Sequence, residues 1–256
     1  MNHSTSPFLS VIIPCRNEEN NIPLLLQDLV SQTTQDFEVI VADSASSDNT
    51  AREAKKFGNQ LTLHTIRVDQ PGVALARNTA ARHARGDFLL FIDADIRLES
   101  PFIAALVSAL RARKLDVAGF RQKLVTQAVG LRLGAAFMNS YVQLMSHTRI
   151  PIFFSCFVCR RSLHESIEGF DTTLYIMEDY DYALRAKRAG GRFGIIKDVP
   201  FLASARRYEN NGGGAGILKG VYGELYRYTH GLRVEKPIYT YTMGGKSANN
   251  AKKPRK

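Results

Sequence analysis

Phe88-Leu89-Leu90-Phe91-Ile92-Asp93-Ala94-Asp95 runs five apolar residues straight into two carboxylates. The run has no polar face, which suits a strand buried on both sides, as in a parallel sheet flanked by helices. Alternate residues of a strand point the same way, so the spacing predicts that Asp93 and Asp95 project together. Two anions at the edge of a core are costly unless a cation or hydrogen-bond donors stand between them. Oxygen-only ligands suit Mg²⁺ or Mn²⁺, and Mg²⁺ is commonly held by one or two carboxylates plus substrate phosphates. The pair points to a metal-bound phosphorylated substrate. The same residues also suit a solvated turn after a strand.

Outward from this run, short apolar stretches alternate with helical patterns. Phe8–Ile13 reads as a strand ended by Pro14, and Phe37–Ala42 as a second strand ending at Asp43. Leu61–Val68 is a third. Between them, Ile22, Leu25, Leu26 and Leu29 recur at i, i+3, i+4 and i+7, which predicts a helix from about Asn20 to Val30. A helix starting at Asp48 or Asn49, with Asp48 as its N-cap, stops before Gly58; another spans Val73–Ala84. Ser100-Pro101 reads as an N-cap with proline at the first helical position, and Ile103, Leu106, Val107 and Leu110 follow at helical spacing. Strict alternation implies βαβ units and a mainly parallel sheet, with ligands beyond the carboxyl ends of the strands. Pro14, Asp43 and Asp93 all fall at such ends.

After Gly119 the pattern degrades, and residues 121–150 are mixed. Apolar character returns at Ile152–Val158. A helix is predicted from Met177 to Ala189, ended by Gly190-Gly191, and Phe193–Ile196 as a last short strand. The expected organisation is one domain over 1–235, with halves at about 8–120 and 121–235. The tail 236–256, ending in Lys252, Lys253, Arg255 and Lys256, is expected to be disordered.

The chain has 256 residues and a formal net charge of +10, which fits nucleic acid, an anionic membrane surface or phosphorylated substrates as partners. Three cysteines argue against a disulfide framework, and Cys156-Phe157-Val158-Cys159 reads as buried free thiols because no second ligand pair exists. No stretch of 18 apolar residues and no secretory leader layout is present, so a cytoplasmic protein is expected.

Several segments together carry a family resemblance. Val11-Ile12-Ile13-Pro14-Cys15-Arg16-Asn17-Glu18-Glu19 resembles the opening strand and loop of family-2 inverting glycosyltransferases. Glu38–Asp43, with Ser46, Asp48 and Thr50, resembles their second strand and acidic loop. Gly72–Asn78, Gly86-Asp87 and Asp93-Ala94-Asp95 resemble the central signature. Gly169-Phe170-Asp171, Glu178-Asp179-Tyr180-Asp181 and Leu184-Arg185 resemble the acceptor-side segment. The order and spacing of five segments over residues 8–208 give the match its specificity. One segment departs from the pattern: Ser44 and Ala45 stand where the family's D-D-G-S carries a second Asp and a Gly.

The resemblance implies a GT-A fold, a nucleotide-binding α/β sandwich, and transfer of a sugar from a nucleotide-diphosphate sugar, with a UDP-sugar the expected donor, to a glycan or lipid-linked hydroxyl. It places Pro14, Arg16, Glu18 and Asp43 around the nucleotide, and Arg77 and Arg206 at the diphosphate. Asp93 and Asp95 would hold Mg²⁺ or Mn²⁺ and the ribose, with Asp95 the better direct ligand. Asp179 matches the general base, whose pKa burial or the neighbouring Glu178 and Asp181 would have to raise. Each residue also has a plainer reading. Asp43 suits a turn, Arg77 a solvated helix face, Glu178 and Asp179 the favourable end of a helix dipole, and Arg206-Arg207 a basic turn.

A nicotinamide-dependent dehydrogenase would need a glycine-rich turn after the first strand, and Pro14-Cys15-Arg16-Asn17-Glu18 contains no glycine. A sugar-phosphate nucleotidyltransferase would likewise open on a glycine-rich loop. A basic nucleic-acid-binding module would carry a recognition motif that the chain lacks, and no nucleic-acid partner is expected. The basic balance and the apolar residues scattered through 121–160 allow peripheral contact with an anionic membrane, at its inner face.

Overall fold

The computed structural model describes residues 6–148, 151–174 and 177–204. Its strands are β1 (Leu9–Cys15), β2 (Phe37–Ser44), β3 (Leu63–Val68), β4 (Phe88–Phe91), β5 (Ile96–Arg97), β6 (Val117–Val125), β7 (Phe157–Arg160) and β8 (Phe193–Ser204). Its helices are α1 (Ile22–Val30), α2 (Thr50–Lys55), α3 (Val73–Ala81), α4 (Phe102–Arg113), α5 (Val129–Met145), α6 (Arg161–Ser166) and α7 (Glu178–Arg188). The strands form one sheet in the order β3-β2-β1-β4-β7-β6-β8-β5.

β1 and β2 are buried along their whole length, and so is β4. One core cluster packs α1 and α4 on one face of the sheet through Ile22, Leu25, Leu26, Ile103 and Leu106. The other packs α3 and α7 on the opposite face through Ala76, Ala80, Tyr182 and Ala186. Helices on both sides explain why the central strands carry no polar face.

At the amino end of the central strands, the buried Glu38 carboxylate accepts from Ser10 Oγ (2.7 Å), Arg85 N (2.6 Å) and Arg85 Nε (2.9 Å). Burial opposes its charge, but the Ser10 and Arg85 bonds outweigh burial and hold Glu38 below its ordinary pKa. Gly86 donates to the same Ser10 Oγ, and a Cβ there would lie 2.6 Å from Ser10 N. Only glycine fits so close an approach.

The sheet is mixed, with parallel pairings in the majority: β1–β2, β1–β4, β2–β3 and β6–β8. β3, β2, β1 and β4 are mutually parallel, but β7 runs antiparallel between β4 and β6, and β5 antiparallel to β8. Strand direction is set by the connection through 121–150, where periodicity is blurred. That segment holds the second half of β6 and the helix α5. Its apolar residues fall on two sides, Ala135, Val142 and Met145 buried and Val129, Leu133, Phe137 and Leu144 exposed, so no single stripe marks a helix.

The last strand is longer than Phe193–Ile196. β8 pairs with β6 in two stretches, Val117–Phe120 with Phe193–Ile196 and Gln122–Val125 with Phe201–Ser204. Residues 197–200 bulge out between them, and a bulge is where Pro200 is tolerated.

Other boundaries also move. β1 continues through Pro14, beside Ala42, to Cys15. α2 starts at Thr50 with Asn49 at the N-cap; Asp48, one residue earlier, accepts from Thr50 N at 3.0 Å. α4 starts at Phe102 because Pro101, at φ −103° and ψ 60°, is not helical, so Ser100 is not the cap. Most consequentially, Asp93 and Asp95 do not continue the strand. Ile96 N bonds Asp93 O at 3.2 Å, closing a turn just past β4, so strand alternation does not govern the two carboxylates.

Candidate active site

Because β1, β2 and β4 are parallel neighbours, their carboxyl ends share one edge, as ligand sites in open sheets require. Two loops there are stitched together. Asn17 N donates to Ser46 Oγ at 2.9 Å, Ser47 N to Asn17 Oδ1 at 2.9 Å and Glu18 N to Thr50 Oγ1 at 2.8 Å. Glu18 is buried, and its carbonyl accepts from Asn21 and Ile22 at the start of α1.

Asp43 is buried at the end of β2 and accepts from Ser46 N at 3.2 Å, so one of its oxygens serves the turn. Ala45 has φ 54°, the left-handed backbone that glycine adopts without strain. Pro14 is buried beside this loop, and Arg16 Nε is buried with no hydrogen-bond partner among the described residues. Cys15, paired with Asp43 in the sheet, is pushed far above the thiol range by burial and then by Asp43, Glu18 and Asp48.

Arg77, midway along α3, is almost wholly buried and lies between two carboxylates. Nη2 donates to Asp93 Oδ1 and Nη1 to Glu178 Oε1, each at 3.1 Å, and the guanidinium lies 5.2 Å over the Phe170 ring. Burial opposes its charge, but Asp93, Glu178 and Asp179 outweigh burial and hold its pKa above the ordinary value. The countercharge for this buried arginine is therefore supplied by the protein itself. Arg77 brings the turn after β4 against the start of α7, so Asp93 and the Glu178-Asp179 pair belong to one constellation.

The three acidic residues opening α7 have separate fates. Glu178 is held by Arg77. Asp181 is held by Arg185, whose Nε lies 2.7 Å from Asp181 Oδ2 and whose Nη1 donates to Gly169 O at 2.7 Å. Asp179 accepts from Tyr180 N at 2.9 Å. Its residue keeps some exposure, yet its carboxyl is enclosed. That desolvation, then the charge of Glu178, raise it to about 7 against the pull of Arg77.

Beneath these carboxylates, Asn78 clamps the Gly169-Phe170 turn with two 2.8 Å bonds, its Nδ2 to Phe170 O and Phe170 N to its Oδ1. Phe170 stacks on Tyr182 at 4.3 Å, and Tyr182 meets His164 Nδ1 at 2.9 Å. Burial, then Arg185, lower His164 to about 4, so it is neutral near pH 7. Cys156 and Cys159 are free and buried, as the sequence suggests, with Cys159 raised by burial to about 12.

The anchoring roles of Arg185 and Asn78 are not visible in the sequence, although the i,i+4 spacing of Asp181 and Arg185 announces their pair. Among the described residues no cluster of three or more His, Cys, Asp or Glu is placed to hold a metal. Two aspartates completed by phosphate oxygens remain a donor set that suits Mg²⁺ or Mn²⁺. The excess of carboxylates around a single arginine favours a cation there. Arg206 and the basic tail lie outside the described residues.

Comparison with known proteins agrees with this geometry. The family model for glycosyl transferase family 2 matches residues 10–167. The glycosyltransferase AglE of Haloferax volcanii is 35% identical over 212 residues, covering 80% of this chain and 69% of that protein. Among solved structures, TarS 1–349 of S. aureus in complex with UDP superposes with a TM-score of 0.66 at 24% identity, over 77% of this chain and 60% of that one. The Pyrobaculum calidifontis mannosyltransferase PcManGT, in complex with GDP-Man and Mn²⁺, also gives a TM-score of 0.66, at 26% identity over 78% of this chain and 57% of that one. The chain thus spans about two thirds or less of these relatives' lengths and shares their GT-A fold. On the fold, the matched residues and the identity to AglE, this chain belongs to glycosyl transferase family 2.

Proposed function

We propose that the chain transfers a sugar from a nucleotide-diphosphate sugar, with a UDP-sugar the expected donor, to an acceptor hydroxyl with inversion at the anomeric carbon. One arrangement carries the reading: of three carboxylates opening α7, arginines hold Glu178 and Asp181, while that of Asp179 is enclosed, which raises it to about 7. A base titrating near neutrality is matched to removing a proton from a hydroxyl.

The donor lies along the carboxyl edge. Pro14, Arg16, Glu18 and Asp43 line the nucleotide end, and the orphan Nε of Arg16 supplies a donor for it. Asp93 and Asp95 would hold Mg²⁺ or Mn²⁺ together with the diphosphate. When bound, that ion neutralises negative charge on the leaving diphosphate. Arg77 orients Asp93 and Glu178 rather than reaching the phosphates freely, and Arg206 is assigned to the diphosphate by resemblance. Asp179 accepts the proton of the acceptor hydroxyl. The freed oxygen forms its bond to the anomeric carbon on the face opposite the diphosphate, whose bond to that carbon breaks. Complexes of the structural neighbours with UDP and with GDP-Man and Mn²⁺ support a nucleotide-sugar donor and a divalent ion.

The acceptor hydroxyl, on this reading, belongs to a glycan or a lipid-linked carrier, and the protein meets an anionic membrane surface. The test is donor hydrolysis and thermal shift across UDP-, GDP- and dTDP-sugars with Mn²⁺. Stabilisation and turnover by one nucleotide class are expected. No response to any nucleotide sugar overturns the reading.

A further inference from the structure

Among the described residues no helix is long and apolar enough to cross a membrane. α5 nevertheless exposes what most helices bury. Val129, Leu133, Phe137 and Leu144 are 65%, 66%, 70% and 65% exposed. At about 100° per residue they fall within roughly 80° of arc, on the side away from Ala135, Val142 and Met145. The helix is held in place from its inner side, where Asn139 bonds both the N–H and the carbonyl of Gln122 in β6 at 2.8 Å. The outer stripe is thus a fixed apolar surface without a partner among the described residues, a feature that marks an interaction site.

Charge says what covers it. From Val117 through His164 the chain carries no Asp or Glu, although it has 24 of them elsewhere. Arg121 and Arg132 are exposed, and Lys123, exposed too, lies 3.9 Å from the exposed Glu99. An apolar stripe in an acid-free, basic setting is the composition of a helix that lies in a bilayer interface, its cations on anionic headgroups. Four side chains on one helix fall far short of the roughly 20–30 residues a side of a standard protein–protein interface. We propose that α5 docks flat on an anionic lipid surface, inserting Val129, Leu133, Phe137 and Leu144 below the headgroups. This deepens the membrane placement in the functional reading and rests on it for location, not for the chemistry at Asp179.

The test is flotation of the full chain with phosphatidylcholine vesicles, with and without phosphatidylserine, beside Leu133→Glu/Phe137→Glu. The wild type should float with the anionic vesicles, weakly with the neutral ones, and less as salt is raised. The double variant should lose roughly tenfold or more of that partitioning, with its unfolding temperature and donor hydrolysis unchanged. No flotation of the wild type, or equal flotation of the variant, overturns the proposal. So does a dimer seen by light scattering that the double variant dissolves while neither protein binds vesicles. Variant-sensitive vesicle binding without any donor hydrolysis supports this surface and overturns the functional reading alone.

Discussion

Arg77 Nη2 lies 3.1 Å from Asp93 Oδ1, and through this contact α3 ties the turn after β4 to the opening of α7. The guanidinium touches both the expected metal-binding side and the expected acceptor side of the constellation.

Replacing Arg77 leaves Asp93 and Glu178 facing each other without their cation. Arg77→Met should lower stability by about 3–5 kcal/mol, since removing one partner of a buried pair strands the other charge. Donor turnover should fall at least a hundredfold. Arg77→Lys should recover little of either, because a point charge cannot reproduce a two-pronged bridge. Denaturant unfolding and donor hydrolysis check both.

Asp179→Asn should abolish transfer without unfolding the chain. In the wild type, kcat/KM should rise with pH through an acid limb near pH 7, where Asp179 loses its proton. The stability effect has a definite sign. A carboxyl whose folded pKa is raised binds its proton more tightly in the folded chain, so its contribution is full below about pH 4 and is lost as pH rises toward 7. Asp179→Asn should therefore melt above the wild type at pH 8, with the gap closing toward pH 4. A wild-type level of transfer in this variant removes Asp179 from the mechanism.

Chelation should stop turnover, and Mn²⁺ or Mg²⁺ should restore it. Asp95→Ala should raise the metal concentration needed for half-maximal rate, or abolish the rate, without unfolding the chain. Isothermal titration with Mn²⁺ and UDP measures the first, and full activity in the presence of EDTA would exclude the ion.

Gly169 has φ +70°, and a Cβ there would stand 2.5 Å from Asn78 Oδ1. Gly169→Ala should cost about 1–3 kcal/mol. It should also depress turnover, because the same turn is held by Asn78 and Arg185, beside Asp181 on the helix of Asp179.

Ala45 occupies the left-handed position where the family pattern carries glycine. Ala45→Gly removes the steric cost, partly offset by the extra freedom of the unfolded chain, for a net gain of about 0.5–1 kcal/mol. Thermal unfolding checks the sign, and the Ser46–Asp43 bond should survive.

The sequence alone determined the central strands, the α1, α3 and α7 helices and the family. These depend on local periodicity and on short motifs whose order survives without coordinates. It also brought Asp93 and Asp179 forward as candidates. The argument from strand alternation did not hold for Asp95, because the chain turns after Phe91 before that residue is reached. Helix α5 escaped notice because apolar residues on two sides cancel the periodic signal that one buried face would give.

Only the tertiary structure decided which charges belong to whom. Arg77 and Glu178 are 101 residues apart in sequence, and no spacing rule joins them; packing of α3 and α7 on one face of the sheet does. The same packing assigns Asp181 to Arg185 and encloses the carboxyl of Asp179. A pKa depends on the neighbours that folding supplies, so the division of roles among three adjacent carboxylates appears only once the chain is folded.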